Sequence, residues 1–235
     1  MQTKSNKKGI KVVYFLAIII AVYYLASFAI ALVTLFAIFC VLFYVFWFLR
    51  NPTRIVPEGD LILSPADGKV IRLFKTTDAG PLDIDKGILG GIRTTASEIS
   101  DSAYVLVIVM TLFDIHYQRA PITGAIKSKL HKNGSFLNIK KEEKSLSSFN
   151  NEKNEIIMSG NRHGKEFDIK IIQVAGYLVR RIVDYVDVSQ KVEKGEQIGL
   201  IKFGSMVLMI FPDTFEPLVS EGDYIYGAET VIAKY

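Results

Sequence analysis

Val12–Leu49 reads VVYFLAIIIAVYYLASFAIALVTLFAIFCVLFYVFWFL, 38 consecutive residues without Asp, Glu, Lys, Arg or His. As one α-helix it would measure about 57 Å, against a hydrocarbon core of roughly 30 Å. One straight crossing does not fit that thickness. The length predicts a hairpin of two short spans within 12–49, turning near Tyr23–Ser27, although no Gly or Pro marks the turn. Lys4, Lys7, Lys8 and Lys11 precede the run, and Arg50 and Arg54 follow it. Basic residues on both flanks favour both ends in the cytoplasm, which only an even number of spans permits. A secretory signal is the competing reading of a lysine-rich start. The run is too long for its apolar region, and no small-residue cleavage site stands out.

The 235 residues leave room for one further domain, 51–235, and no more. Half of the chain is hydrophobic, and the mean hydropathy of +0.28 is carried largely by the apolar run. The net charge of +4 comes from 28 basic and 24 acidic residues. Removing the four lysines before Val12 leaves 24 against 24, so residues 12–235 sum to zero. That balance argues against a nucleic-acid partner. The single cysteine, Cys40, lies inside the apolar run, so neither an intrachain disulfide nor a cysteine metal cluster is available.

Beyond Arg50 the apolar patterns are short, rich in Ile, Val, Phe and Tyr, and bounded by Gly, Asn, Asp and Pro. Leu61–Leu63, Lys69–Leu73, Tyr104–Thr111, Ile126–Leu130, Glu166–Val174, Gln197–Ile201 and Val207–Phe211 are strand-like in this sense. Asn161-Arg-His-Gly164 between two such runs predicts a hairpin turn. Ser97–Ala103 is the one candidate short helical element, and the polar stretch Lys140–Lys153 predicts a loop. Val56-Pro-Glu-Gly-Asp60, Val192-Glu-Lys-Gly-Glu196 and Val219-Ser-Glu-Gly-Asp223 repeat one pattern, each ahead of an apolar stretch. A tight turn with Gly at positive φ would explain it. The predicted fold is mainly β, a sandwich with an α+β element and half-barrel features like those of lipoyl and biotinyl carriers. Recurring turn chemistry alone is the simpler account of the repeat. The lysine-tipped hairpin of such carriers is not matched, because Lys202 is followed by Phe-Gly-Ser.

Three histidines could carry chemistry: His116, His131 and His163. The last two fall in polar or turn sequence and are expected at the surface. His116 closes an apolar strand and precedes a Pro-containing turn, where a scaffold can hold a reactive side chain firmly. Asp67 lies in Ser64-Pro-Ala-Asp-Gly-Lys69 and Ser205 in Lys202-Phe-Gly-Ser205, both of which are also ordinary turn sequences. Brought together, Asp67, His116 and Ser205 would make an acid–base–nucleophile set. The hydrolase elbow, the P-loop, the dinucleotide fingerprint and zinc-type spacings are all missing.

Arg50-Asn-Pro-Thr-Arg54, Ser64-Pro-Ala-Asp-Gly-Lys-Val70, Phe113-Asp-Ile-His-Tyr-Gln-Arg-Ala-Pro121 and Lys202-Phe-Gly-Ser205 occur in that order. Together with Val174–Ile182 and Glu196–Ile201 they resemble the signature blocks of the short, membrane-anchored phosphatidylserine decarboxylases, over roughly residues 50–235. The resemblance implies a β-rich enzyme of the cytoplasmic membrane, its domain facing the cytoplasm, that converts phosphatidylserine or a related serine phospholipid to the ethanolamine lipid. It further implies a pyruvoyl cofactor made from Ser205 by self-cleavage after Gly204. The products would be chains 1–204 and 205–235, which stay associated, with a homo-oligomer possible. By the same resemblance His116, oriented by Asp67, is the base, and no metal is needed. Arg119 is a candidate for the substrate phosphate, with a structural role as the alternative. Where the family usually carries Arg and Asp after Gly-Ser, this chain has Met206 and Leu208, and Lys153 stands where Arg is usual. A membrane-anchored serine hydrolase using the same three residues and a non-enzymatic carrier-like adaptor are the competing classes.

Overall fold

The computed structural model describes residues 3–77, 81–85, 91–132, 152–175, 181–202 and 205–235. The chain divides into two compact units, Met1–Leu49 and Arg50–Tyr235. The first is a single α-helix, α1 (Thr3–Leu42), continued by a π-helical turn, Phe43–Phe48. The hairpin expected from its length is therefore not seen. Without Gly or Pro between Val12 and Leu49, no residue interrupts the i to i−4 hydrogen bonds, and the helix runs through Tyr23–Ser27 unbroken. Ile10–Phe48 is long and apolar enough to cross a membrane.

The second unit is built of antiparallel strands. In chain order these are β1 (Leu61–Leu63), β2 (Gly68–Thr76), β3 (Pro81–Asp85), β4 (Gly91–Thr95), β5 (Ala103–Met110), β6 (Tyr117–Arg119), β7 (Gly124–Lys132) and β8 (Lys153–Arg162). They continue with β9 (Lys165–Val174), β10 (Arg181–Asp184), β11 (Lys191–Val192), β12 (Gln197–Lys202), β13 (Ser205–Pro212), β14 (Tyr224–Ile225) and β15 (Val231–Lys234). An eight-stranded sheet has the order β11-β7-β8-β9-β13-β5-β2-β14, and a three-stranded one the order β10-β12-β6. Two further pairs, β1-β15 and β3-β4, complete the architecture, which is mainly β as expected. The β3-β4 pair was not legible in the sequence, because its Gly, Thr and Asp content hides the strand pattern.

β13 shows why these sequences make a sheet buried on both faces. Met206–Phe211 are all fully buried. Val207, Met209 and Phe211 point into the main core with Leu106 and Ile108 of β5 and Ile169 and Ile171 of β9. Met206, Leu208 and Ile210 point the other way, into a smaller core with Val105, Val107, Ile172 and Val174. A continuous apolar run is what a strand covered on both faces needs. Met206 and Leu208, the two departures beside Ser205, are thus core residues here.

The turns follow their sequences. His163 (φ 50°) and Gly164 (φ 85°) form the two-residue β8–β9 connection, and the Gly164 N–H donates to Asn161 Oδ1 at 2.8 Å. Gly59, Gly195 and Gly222 of the three-fold repeat all adopt positive φ, 97°, 86° and 98°. In two of these turns the acidic residue caps the turn: Glu193 N–H donates to Glu196 Oε2 and Ser220 N–H to Asp223 Oδ2. In place of the expected helical element Ser97–Ala103 there is a turn, closed by Ile99 N–H to the Ala96 carbonyl, and β5 begins at Ala103. Of the expected loop Lys140–Lys153, residues 140–151 lie outside the described residues.

Candidate active site

β5 delivers the chain to a stiff turn. Thr111 N–H donates to Asp114 Oδ2 at 2.5 Å and Asp114 N–H to the Thr111 carbonyl at 3.2 Å. The turn exposes Leu112 and Phe113 and buries Asp114, Ile115 and His116, the last completely. His116 Nδ1 lies 2.9 Å from the Asp114 carbonyl oxygen. A carbonyl only accepts, so Nδ1 carries the hydrogen and Nε2 is the basic nitrogen of the neutral ring. Burial pushes the imidazole below its ordinary pKa, opposed by the Asp114 carbonyl and charge and reinforced by Arg50. The ring is consequently unprotonated at neutral pH, the form a general base requires.

The backbone of His116 is held as firmly as its ring. Its carbonyl accepts from Ile201 N–H at 3.2 Å and from Gln118 Nε2 at 2.8 Å. Gln118 Oε1 in turn accepts from Gln173 Nε2, and Gln173 Oε1 from Asn154 Nδ2, which also donates to Asp184 Oδ1. Gln118, Gln173 and Asn154 are all fully buried. This chain of amides ties the eight-stranded sheet to the three-stranded one.

Ser205 is the first residue of β13 and pairs with Met110, the last of β5. On the other side, Leu200 of β12 pairs with Tyr117. The segment 110–117 is therefore fastened to both strands that flank the 204–205 junction. Gly204, the expected cleavage position, lies outside the described residues.

Asp67 sits between β1 and β2, almost fully buried. Both its oxygens accept from Arg54 Nη2 at 2.8 Å, and Oδ1 also accepts from the Gly227 N–H at 2.8 Å. Its described bonds thus run to Arg54 and Gly227, while the described hold on His116 Nδ1 comes from Asp114. Burial pushes the Asp67 carboxyl up; Arg54 and the Gly227 amide pull it down, and the nearby Asp114 charge pushes up again, leaving it raised. Arg54 also reaches Glu229 Oε2 at 3.3 Å.

Arg119 donates to the Gly195 carbonyl at 2.9 Å, to Asn51 Oδ1 at 2.6 Å and to the Pro52 carbonyl at 3.4 Å. Its Nη nitrogens are turned to protein oxygens. It clamps the segment entering the domain onto one of the repeated turns. Arg54, Asp114, Tyr224 and Glu229 were not assigned roles from sequence. Arg54 and Asp114 stand inside the quoted blocks, and their charges were the available signal. Tyr224 donates its hydroxyl to Asp114 Oδ1. Burial, and then that hydrogen bond, push its phenol well above the ordinary range, so it remains a donor. His131 and His163 are exposed, as expected, although His131 Nε2 lies 3.4 Å from Glu152.

A helix long and apolar enough to anchor in a membrane, followed by a β domain with a buried histidine beside a strand junction, is consistent with a membrane-associated β enzyme. Among the described residues no group of three or more His, Cys, Asp or Glu could hold a metal. The phosphatidylserine decarboxylase family model matches residues 42–233. A phosphatidylserine decarboxylase proenzyme of Nitrobacter winogradskyi is 34% identical over 204 residues, covering 86% of this chain and 72% of the relative. Those of a Wolbachia from Brugia malayi (36% over 190 residues, 80% and 74%) and of Polynucleobacter asymbioticus (32% over 192 residues, 81% and 78%) are similar. The chain belongs to the phosphatidylserine decarboxylase family and is a decarboxylase.

Proposed function

We propose that the chain removes the headgroup carboxylate of phosphatidylserine, releasing CO2 and leaving phosphatidylethanolamine, after cutting itself between Gly204 and Ser205. The observation that carries this reading is the double fastening of the 110–117 segment, to Ser205 through Met110 and to β12 through His116 and Tyr117. It supports a neutral, buried base held beside the junction that must react.

An unassisted serine hydroxyl is a poor nucleophile, so a positioned base is required. His116 accepts the Ser205 hydroxyl proton as Oγ attacks the Gly204 carbonyl carbon. The 204–205 C–N bond breaks as the C–O ester bond forms, and the nitrogen leaves as the amine of residue 205. Loss of the Ser205 α-proton then expels the ester as the Gly204 carboxylate. Water replaces the nitrogen, which departs as ammonia, and residue 205 keeps a pyruvoyl group. Such a group would stand at the start of β13, next to the buried Met206 and opposite the buried Met110. A pyruvoyl carbonyl supplies the electron sink that decarboxylation of an amino acid needs. Asp67 with Arg54 and Glu229 sets the charge around this end of the domain, Asp114 fixes His116, and Tyr224 holds Asp114. His116 is placed to return a proton where the carboxylate leaves.

Arg50 and Arg54 at the domain end of the apolar helix support a β domain facing the cytoplasm. Labelling of a His163→Cys variant from the outer face of intact cells would remove this orientation. Intact mass spectrometry of the detergent-purified protein tests the central reading. Two masses dividing at 204/205, the smaller without a free amine, are expected, and Ser205→Ala should give one uncut chain without activity. A single uncut wild-type chain that labels with a serine-directed fluorophosphonate would instead identify a hydrolase.

A further inference from the structure

The turn that carries His116 also presents an apolar tip. Leu112 and Phe113 are 44% and 65% exposed, directly beside the buried Asp114 and His116. They are held outward, since Thr111 and Asp114 lock the turn and Phe113 N–H donates to Thr111 Oγ1 at 3.3 Å. Large apolar side chains on a rigid, solvent-facing turn require a reason. Next to them stand Tyr224, whose hydroxyl donates to Asp114, and Tyr226, packed edge-on at 5.1 Å from Tyr224. Both tyrosines are about half exposed, 47% and 48%. Tyrosine with aliphatic and phenyl side chains is the composition of a membrane-interface contact.

One hydrogen bond says which surface this patch meets. Arg50 Nη2 donates to the Phe113 carbonyl. Arg50 is the first charged residue after the apolar run, so its guanidinium belongs where hydrocarbon gives way to headgroups. The tip bonded to it belongs at the same level. We propose that Leu112, Phe113, Tyr224 and Tyr226 form a second membrane contact, dipping into the interfacial layer of an anionic bilayer beside the base His116. The inference rests on the reading of the chain as a lipid decarboxylase, and adds how a headgroup reaches a buried histidine: the reactive turn comes to the lipid.

The test uses the full chain, Cys40→Ala, reconstituted in vesicles containing phosphatidylserine. An environment-sensitive fluorophore is placed at Phe113→Cys and, as control, at His163→Cys on the exposed β8–β9 hairpin tip. Quenching by lipid-borne nitroxide and shielding from aqueous quencher at 113 but not at 163 is expected. Equal aqueous exposure at both sites overturns the proposal. In a second arm, Leu112→Ser with Phe113→Ser should raise KM for phosphatidylserine in bilayers about tenfold, as loss of apolar anchoring area requires. Turnover of a short-chain, water-soluble phosphatidylserine should stay at the wild-type rate. An equal loss on both substrates would mean the tip acts within the site and not on the membrane. If the wild type decarboxylates neither substrate, the decarboxylase reading fails, while the quenching arm still decides where the tip lies.

Discussion

Cutting the chain at 204/205 should not release the 31-residue segment 205–235, and the structure sets the scale of what holds it. Met206 to Phe211 are six fully buried apolar side chains. At about 1.5–3 kcal/mol each their burial is worth about 9–18 kcal/mol. Allowing a free segment up to 40% residual burial reduces this to about 5–11 kcal/mol. β13 also pairs along eight residues with β5 and five with β9, β14 pairs with β2, and β15 with β1. A micromolar complex needs about 8 kcal/mol, so the two products should stay together at micromolar concentration in native buffer. Size-exclusion chromatography with mass detection reads this directly, with urea added stepwise to find the point of release. Leu208→Ala should lower that point, since removing a buried leucine side chain costs about 2–5 kcal/mol. Elution of 205–235 apart from the larger chain in native buffer would refute the reasoning, because burial on both faces of β13 would then not be holding the segment.

With His116 as the proposed base, the pH dependence of maturation should follow from its burial. Burial lowers its pKa, so the base stays neutral on acidification through about 6.5 and is protonated only below that. The rate of precursor cleavage should be level from pH 8 to 6.5 and fall at lower pH. Stability runs the same way: between the depressed folded value and about 6.5 the unfolded state binds the extra proton, so acidification through this window destabilises the fold. Glu155→Leu should destabilise by about 3–5 kcal/mol, because it strips a partner from two buried lysines. Lys170 and Lys153 lie 2.7 and 2.5 Å from its oxygens. Burial alone would push the Glu155 carboxyl up, but these lysines outweigh it and hold it below its ordinary value. Equal urea midpoints for Glu155→Leu and wild type would show that Glu98, 2.9 Å from Lys170, suffices. Gly199→Ala places a Cβ 2.4 Å from Gln173 Nε2 and 2.9 Å from the Val183 carbonyl. It should cost about 1–3 kcal/mol and slow cleavage by loosening the amide chain behind His116; unchanged cleavage kinetics would separate that chain from the site.

The sequence revealed most where side-chain pattern and backbone demand coincide. The apolar run of β13, the Asn161–Gly164 hairpin and the three Val-x-x-Gly turns each carry their cause in a few adjacent residues. The ordered blocks brought Asp67, His116 and Ser205 into view, but not who holds whom. Asp114 acts on the ring of His116 through its backbone carbonyl, which every residue possesses. Asp67 accepts from Arg54 across 13 residues of chain and from Gly227 across 160. Gln118, Gln173 and Asn154 look like ordinary polar strand residues until two sheets stack them together. Contacts that cross sheets leave no local period to read. The unbroken helix had the opposite fault: its length argued for a turn, and its residues supply nothing to make one.

On the proposed cleavage, the position of the 204–205 junction would let one chain mature without refolding. β12 belongs to the three-stranded sheet, paired with β10 and β6, while β13 belongs to the eight-stranded sheet, paired with β5 and β9. Among the described residues no strand pairing links β12 to β13, so cutting between them would remove no described ladder hydrogen bond from either sheet. The base, however, is useful only once both sheets exist. His116 is held by β12 through Ile201 and by the amide chain that begins on β8 and β9, and Ser205 is placed by Met110 of β5. On this proposal folding precedes cleavage, and cleavage would report folding. A substitution that weakens the stacking of the two sheets, wherever it lies, should appear first as uncut precursor and only then as lost activity. A substitution confined to the substrate side should leave the two product chains intact.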